Sequence, residues 1–384
     1  MALSTIGGPE RKLSIGRKLW EINWGLVLLV CLVASVGFAM LYSAAGGSLD
    51  PWASRQMIRF GVGLVLMLAI AVIDLRFWLK FAYPAYAVAV LLLVAVMVFG
   101  TIGMGARRWI DLGPFNIQPS EVMKIALILA LARYFHGLTI EEVGKIRWLL
   151  IPVAMILLPA GMVMKQPDLG TALLLIMTGG IILFFAGVRL WKFALALGAG
   201  LGAIPIAWQL MHDYQRRRVL TFLDPENDPL GSGYHILQSK IALGSGHIFG
   251  KGFLQGTQAH LNFLPEKQTD FIFTTLAEEM GMAGALTLIA LYVCIFAYGL
   301  AIALRARHQY GRLVAAGFTG MFFLYVFINV AMVTGLVPVV GVPLPLVSYG
   351  GTSMMTLLVG LGLLLNVYVH RDLQLPRRLD GGLG

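Results

Sequence analysis

Ten apolar runs dominate the sequence, near 24–45, 57–73, 78–100, 119–135, 148–164, 170–187, 191–211, 271–303, 312–335 and 349–369. A helix crosses the hydrocarbon core of a bilayer with about 20 such residues. Most of these runs have no polar face, so they cannot lie half-exposed on a soluble domain. Charged residues make up 12% of the 384, where soluble domains average about 25%. The expected fold is therefore an all-α polytopic membrane protein of about ten spans, a single domain over 1–384 whose core is helix against helix.

The basic residues set the orientation. With the N-terminus inside, 17 of the 29 Lys and Arg fall in inner segments, while the short outer loops hold five: Arg55, Arg59, Arg107, Arg108 and Lys165. This bias places the tails 1–23 and 370–384 in the cytoplasm. The first run follows Arg11, Lys12, Arg17 and Lys18 but is too long for the apolar part of a signal peptide, so it is expected to stay as the first helix. Residues 212–270 form one long loop, which can be translocated whatever its charge and is expected outside. Its Gly-Ser-Gly and Gly-Lys-Gly triplets suggest turns around short helices. Cys31 and Cys294 sit within apolar runs and are expected to be free packing residues. No internal repeat is evident.

Four outward constellations carry residues that lipid would reject. The first runs from Arg107-Arg108-Trp109-Ile110-Asp111 to Gln118-Pro119-Ser120-Glu121 and Lys124. Pro119 suits a first helical turn, Glu121 complements the helix dipole, and Lys124 follows at i+3. Two readings compete here: a Glu–Lys pair with interfacial anchors, or a cationic site for phosphate built from Arg and Lys. The second, Lys165-Gln166-Pro167-Asp168-Leu169-Gly170-Thr171, reads as a tight link in which Asp168 caps the next helix. The third, Glu266-Lys267-Gln268-Thr269-Asp270-Phe271, enters a very apolar helix that also carries Glu278 and Glu279. A plain cap by Thr269 or Asp270 accounts for one carboxylate and leaves the others unexplained. The fourth, from Gly335 to Ser353, contains three prolines and cannot be a regular helix. Non-helical backbone at membrane depth survives only inside protein or along a wet cavity, so a re-entrant cavity wall is expected. No nucleophile elbow, Walker loop, dinucleotide fingerprint or metal-ligand spacing is present.

The strings Arg108-Trp109-Ile110, Gln118-Pro119-Ser120-Glu121, Gln166-Pro167-Asp168-Leu169-Gly170-Thr171, Leu264-Pro265-Glu266 with Thr269-Asp270-Phe271, and Pro345-Leu346-Val347-Ser348-Tyr349-Gly350-Gly351 resemble those of the SEDS family (shape, elongation, division and sporulation) over nearly the whole chain. The elongation branch, the RodA type, is closer than the division branch, the FtsW type, which typically has a Lys where Val340 stands. The resemblance implies an inner-membrane peptidoglycan glycosyltransferase that polymerises lipid II during cell elongation. It also implies a class B penicillin-binding transpeptidase and other elongation-complex membrane proteins as partners, with no nucleic acid. Under it, Asp270 is the expected catalytic base, and Arg108, Trp109, Glu121, Lys124, Glu266, Ser348 and Tyr349 are expected to bind substrate. A divalent cation, Mg or Mn, could assist. A lipid II flippase and a non-catalytic scaffold of the wall-building complex are the alternatives. A flippase should show paired broken helices; a scaffold has no use for Lys124 or Asp270.

Overall fold

The computed structural model describes residues 14–373 and 375, except 104, 105, 112, 114, 115, 262, 264, 265 and all of 211–231 but 216, 220, 221 and 224. The expectations for Arg11, Lys12, Leu264, Pro265, Arg377 and Arg378 lie outside the described residues. In chain order come α1 (Ile15–Trp20), α2 (Trp24–Ala44), α3 (Ala53–Val72), α4 (Leu75–Phe99), three short strands, α5 (Pro119–His136), α6 (Ile140–Val143), α7 (Ile146–Lys165), α8 (Leu169–Phe185), α9 (Leu190–Gly202) and α10 (Ile204–Leu210). The long loop carries α11 (Ser232–Ser245) and α12 (Thr257–His260). It leads into α13 (Ile272–Arg305), α14 (Gln309–Val333) and α15 (Gly351–Val369).

Each of the ten apolar runs is helical. Among the described residues, seven helices are long and apolar enough to cross a membrane, and α8 and α9 are shorter apolar helices. The chain is a multi-pass helical membrane protein. Helix α5 is buried over most of its length but carries Glu121, Lys124 and Arg133, too many charges for a span facing lipid. Two expectations need correction. The 191–211 run is two helices, because Pro205 offers no N–H and crowds the carbonyl four residues back. The fold is also not wholly helical. Strands β1 (Thr101–Gly103), β2 (Ala106–Asp111) and β3 (Asn116–Ile117) form a small antiparallel sheet that pairs Thr101 with Trp109 and Asp111 with Asn116. Strands this short carry too little alternation to be read in sequence.

Burial separates the centre from the rim. In α14, 72% of the apolar stretch is buried inside the protein, against 22% in α4. Helix α15 lies close along α3, where a Cβ on Gly362 would stand 2.8 Å from the Met67 carbonyl and one on Gly63 2.3 Å from Leu358. Small residues permit this approach, and packing then supplies what lipid cannot. Asn366 on α15 donates to the carbonyls of Ile70, Ala71 and Ile73, acceptors exposed by the end of α3. Both cysteines are free, as expected.

Candidate functional site

Helix α14 ends at Val333, and the Pro- and Gly-rich segment that follows runs without regular structure to α15. Left-handed backbone at Gly335 (φ 74°), Gly341 (φ 71°) and Leu346 (φ 65°) turns it back on itself. Most of its middle is buried in protein, which is the condition for non-helical chain in such a setting. Its polar atoms are then spent on neighbours. Tyr292 donates to the Pro345 carbonyl (2.6 Å) and Gln56 to that of Ser348 (2.8 Å). The Ser348 hydroxyl donates to the Thr269 carbonyl (2.6 Å) while accepting from Leu344 N–H (2.7 Å). The Tyr349 N–H donates to the Gln268 carbonyl (2.8 Å).

These bonds converge on the turn that presents Asp270. Asn329 of α14 donates through one amide nitrogen to the carbonyls of Asp270 (2.9 Å) and Val342 (2.7 Å), joining the turn to the segment. A Cβ on Gly341 would lie 3.4 Å from Asp270 Oδ2. Glu266 supports the turn from its other side, accepting from the Thr269 hydroxyl at 2.9 Å with its own backbone at φ 58°. Asp270 is partly exposed. Phe271 stands at the N-cap position of α13, and its side chain makes no cap bond. Burial lowers the neighbouring Lys267 ammonium from its ordinary range.

Arg108 comes from the sheet. Its guanidinium donates to the carbonyls of Gln166 (3.2 Å) and Pro167 (2.5 Å) and lies 4.0 Å from Asp168. Two of its five N–H groups are thus used. Asp168 caps α8 through Thr171 N–H (3.1 Å), as the sequence suggests. Two residues on, a Cβ on Gly170 would stand 2.6 Å from the Val340 carbonyl. The link under Arg108 therefore packs against the segment beside Asp270. Trp109 follows on β2, partly exposed.

Two groups of the expected substrate contacts are placed differently. Lys124 is 1% exposed, bonded to Glu121 (2.6 Å) and to the Tyr325 hydroxyl, with its ammonium 4.6 Å from the Tyr325 ring. The pair is buried within the protein and does not snorkel to its surface. It ties α5 to α14. Ser348 is 4% exposed with its hydroxyl bonded on both sides, so it positions the Asp270 turn, and the Tyr349 ring lies under Arg59 at 5.2 Å. Asn329 and Gln56 were missed in the sequence. A lone Asn inside Phe327-Ile328-Asn329-Val330 is a signal that could have found the first, since intramembrane polar groups seldom lack a task.

Buried Glu278 and Glu279 are also explained. Gly281 (φ 67°) kinks α13, and the freed N–H groups of Met282 and Ala283 bond to the loop carbonyls of His247 and Ile248. The same loop segment brings Lys251 to Glu278 at 2.7 Å and Leu254 N–H to Glu279 at 3.3 Å, while Ser43 reaches Glu279 at 2.5 Å. Both carboxylates thus clamp the long loop to α13 and α2.

The model of the FtsW/RodA/SpoVE family, described as cell cycle protein, matches residues 22–373. The chain belongs to this family. It is 45% identical over 353 residues to the peptidoglycan glycosyltransferase MrdB of Escherichia coli K12, covering 91% of this chain and 93% of that protein. A solved chain from a study of the structural coordination of polymerization and crosslinking by a peptidoglycan synthase complex superposes with a TM-score of 0.81. That chain is 35% identical, with 94% of this chain and 99% of that one covered. The rod shape determining protein RodA of Thermus thermophilus gives a TM-score of 0.69 at 32% identity, covering 92% and 98%. The SEDS resemblance of the motifs is thereby established for the whole membrane domain.

Proposed function

We infer that the chain is a peptidoglycan glycosyltransferase that polymerises lipid II into glycan strands during elongation. The observation that carries the mechanism is the carboxylate of Asp270, in a turn before α13 whose backbone carbonyls are held by Asn329, Ser348 and Tyr349. A carboxylate so positioned suits a general base. It takes the proton from the acceptor sugar's C4 hydroxyl as that oxygen attacks C1 of the donor. The C1–O bond to the polyprenyl diphosphate breaks with inversion, and the diphosphate leaves with the electron pair. Arg108, two of whose five N–H groups are taken by acceptors among the described residues, stabilises the charge that develops there. Glu266, Ser348 and Tyr349 shape the turn; Glu121 and Lys124 support the floor from within. Among the described residues, no three metal-ligating side chains converge, so no step is assigned to a resident divalent cation.

A class B penicillin-binding transpeptidase and other elongation-complex membrane proteins are the proposed partners, in keeping with the synthase complex to which the similar solved chain belongs. Purified protein with its transpeptidase, supplied with lipid II in vesicles, should yield glycan polymer. Translocation of lipid II without polymer would overturn the enzyme reading in favour of a flippase, and neither product would leave a scaffold.

The ten-span order, the inner-membrane location and the cytoplasmic termini belong to the same proposal, carried by the basic-residue bias. Phe249, 83% exposed on the outer loop, offers a test. With Cys31 and Cys294 replaced, Phe249→Cys should react with an impermeant thiol reagent in intact spheroplasts. Reaction only after lysis would invert the topology.

A further inference from the structure

The start of α2 and the ends of α13 and α15 line an open pocket of about 260 Å³, formed by Asn23, Ala297, Tyr298, Ala301, Ile302, Arg305 and Tyr368. It lies toward the C-terminal end of α13, whereas Asp270 precedes the start of that helix. The cations around it have acceptors: Arg17 pairs with Glu21 (3.4 Å), Lys18 bonds to the Val72 carbonyl (2.9 Å), and Arg307 pairs with Asp372 (3.2 Å). Arg371 bonds to the Tyr368 carbonyl (3.1 Å). Arg305 differs, because its guanidinium has no ion pair or hydrogen bond among the described residues although it lines a concave surface. Beside it, the bare backbone of Gly25 leaves room for the Tyr298 hydroxyl. A Cβ there would come within 2.9 Å of that oxygen and 3.3 Å of Asn23 Oδ1.

We propose that this cavity binds the headgroup of an anionic phospholipid, its phosphate held by Arg305 and the Tyr298 hydroxyl. A planar guanidinium with unused donors matches two phosphate oxygens, and a basic pocket between helix ends at the membrane boundary is where such a lipid would sit. The level is marked by Trp20 (87% exposed) and Trp24 (52%), aromatic residues of the kind that gather at the interface. From the cavity, exposed Leu304 and Leu300 lead along α13 to Val293, at spacings that keep them on one face. That stripe gives an acyl chain an apolar path and explains why a lipid, with its tail, fits better than a free phosphate ion.

Delipidated full-length protein in neutral detergent, titrated with dioleoyl phosphatidylglycerol, dioleoyl phosphatidylcholine or inorganic phosphate, would test this by native mass spectrometry. One phosphatidylglycerol should be retained at least about tenfold more tightly than phosphatidylcholine, with no comparable adduct of inorganic phosphate. Arg305→Gln should weaken that retention about tenfold, the usual scale for a lost charge-assisted contact. Ala301→Trp, which keeps every charge and fills the cavity, should weaken it to a similar extent. Arg307→Gln, outside the cavity, should leave it unchanged. Equal retention of the two lipids, native-like retention in Ala301→Trp, or equal loss in Arg307→Gln would overturn the proposal. An inorganic phosphate adduct as strong as the lipid's would also overturn it, in favour of a free-anion pocket.

Discussion

Purified Asp270→Asn protein, assembled with its transpeptidase and given lipid II, should polymerise about 10² to 10⁴ times more slowly than the native chain, the span that a general base contributes. Asn keeps the size of the side chain and removes its capacity to take a proton. Asn caps a helix start about as well as Asp, so the substitution does not weaken the start of α13 on that account. The bonds that fix the turn run through the Asp270 carbonyl, the Thr269 carbonyl and the Gln268 carbonyl, and the variant leaves all three. Thermal stability and transpeptidase binding should therefore be unchanged. Translocation is not required when lipid II is supplied on the active side, so a flippase defect cannot mimic the result. Near-native polymer would remove Asp270 as the base.

The second large effect is on stability. Removing one member of a buried ion pair strands the other charge and costs about 3 to 5 kcal/mol. Lys124→Met leaves Glu121, 5% exposed, without its ammonium partner, and Glu121→Gln leaves Lys124 unmatched at 1% exposure. Both single variants should unfold at markedly lower temperature, and activity should fall with the folded fraction. The double variant Glu121→Gln with Lys124→Met removes both charges, and replacing a buried pair by neutral groups of similar volume is often nearly neutral. It should recover most of the stability and most of the polymerisation. A double variant that is stable yet inactive would show that the ammonium acts on the substrate, as the sequence alone suggests.

The buried Glu–Lys pair also shows where sequence reasoning stops. The i, i+3 spacing of Glu121 and Lys124 put them in reach of one another, and the outcome followed. Their surroundings were not legible, because Tyr325 lies about two hundred positions further along the chain and only the packing of α14 on α5 excludes water. Arg108 is a similar case. Its charge and outward place were evident, whereas its acceptors, the carbonyls of Gln166 and Pro167, are backbone atoms that any sequence would supply. Ser348 and Tyr349 stood out as members of a motif. That they hold the Asp270 turn through main-chain bonds depends on how the broken segment folds back.

Membrane, helices and motifs were all legible in the order of amino acids. Apolar length is a local property, and a bilayer admits few structures that satisfy the backbone of such runs. The stretch from Gly335 to Ser353 reads as non-helical because proline and glycine act on their immediate neighbours, and it is so up to Gly350, after which α15 begins. Which charges end up buried against partners is settled only by packing in three dimensions. Glu278 and Glu279 stand unexplained in an apolar helix until Gly281 kinks α13 and the long loop brings Lys251 and the Leu254 N–H to them. Whether a buried charge is a catalyst, a clamp or a strut depends on partners brought from distant parts of the chain, and only close packing in three dimensions chooses those partners.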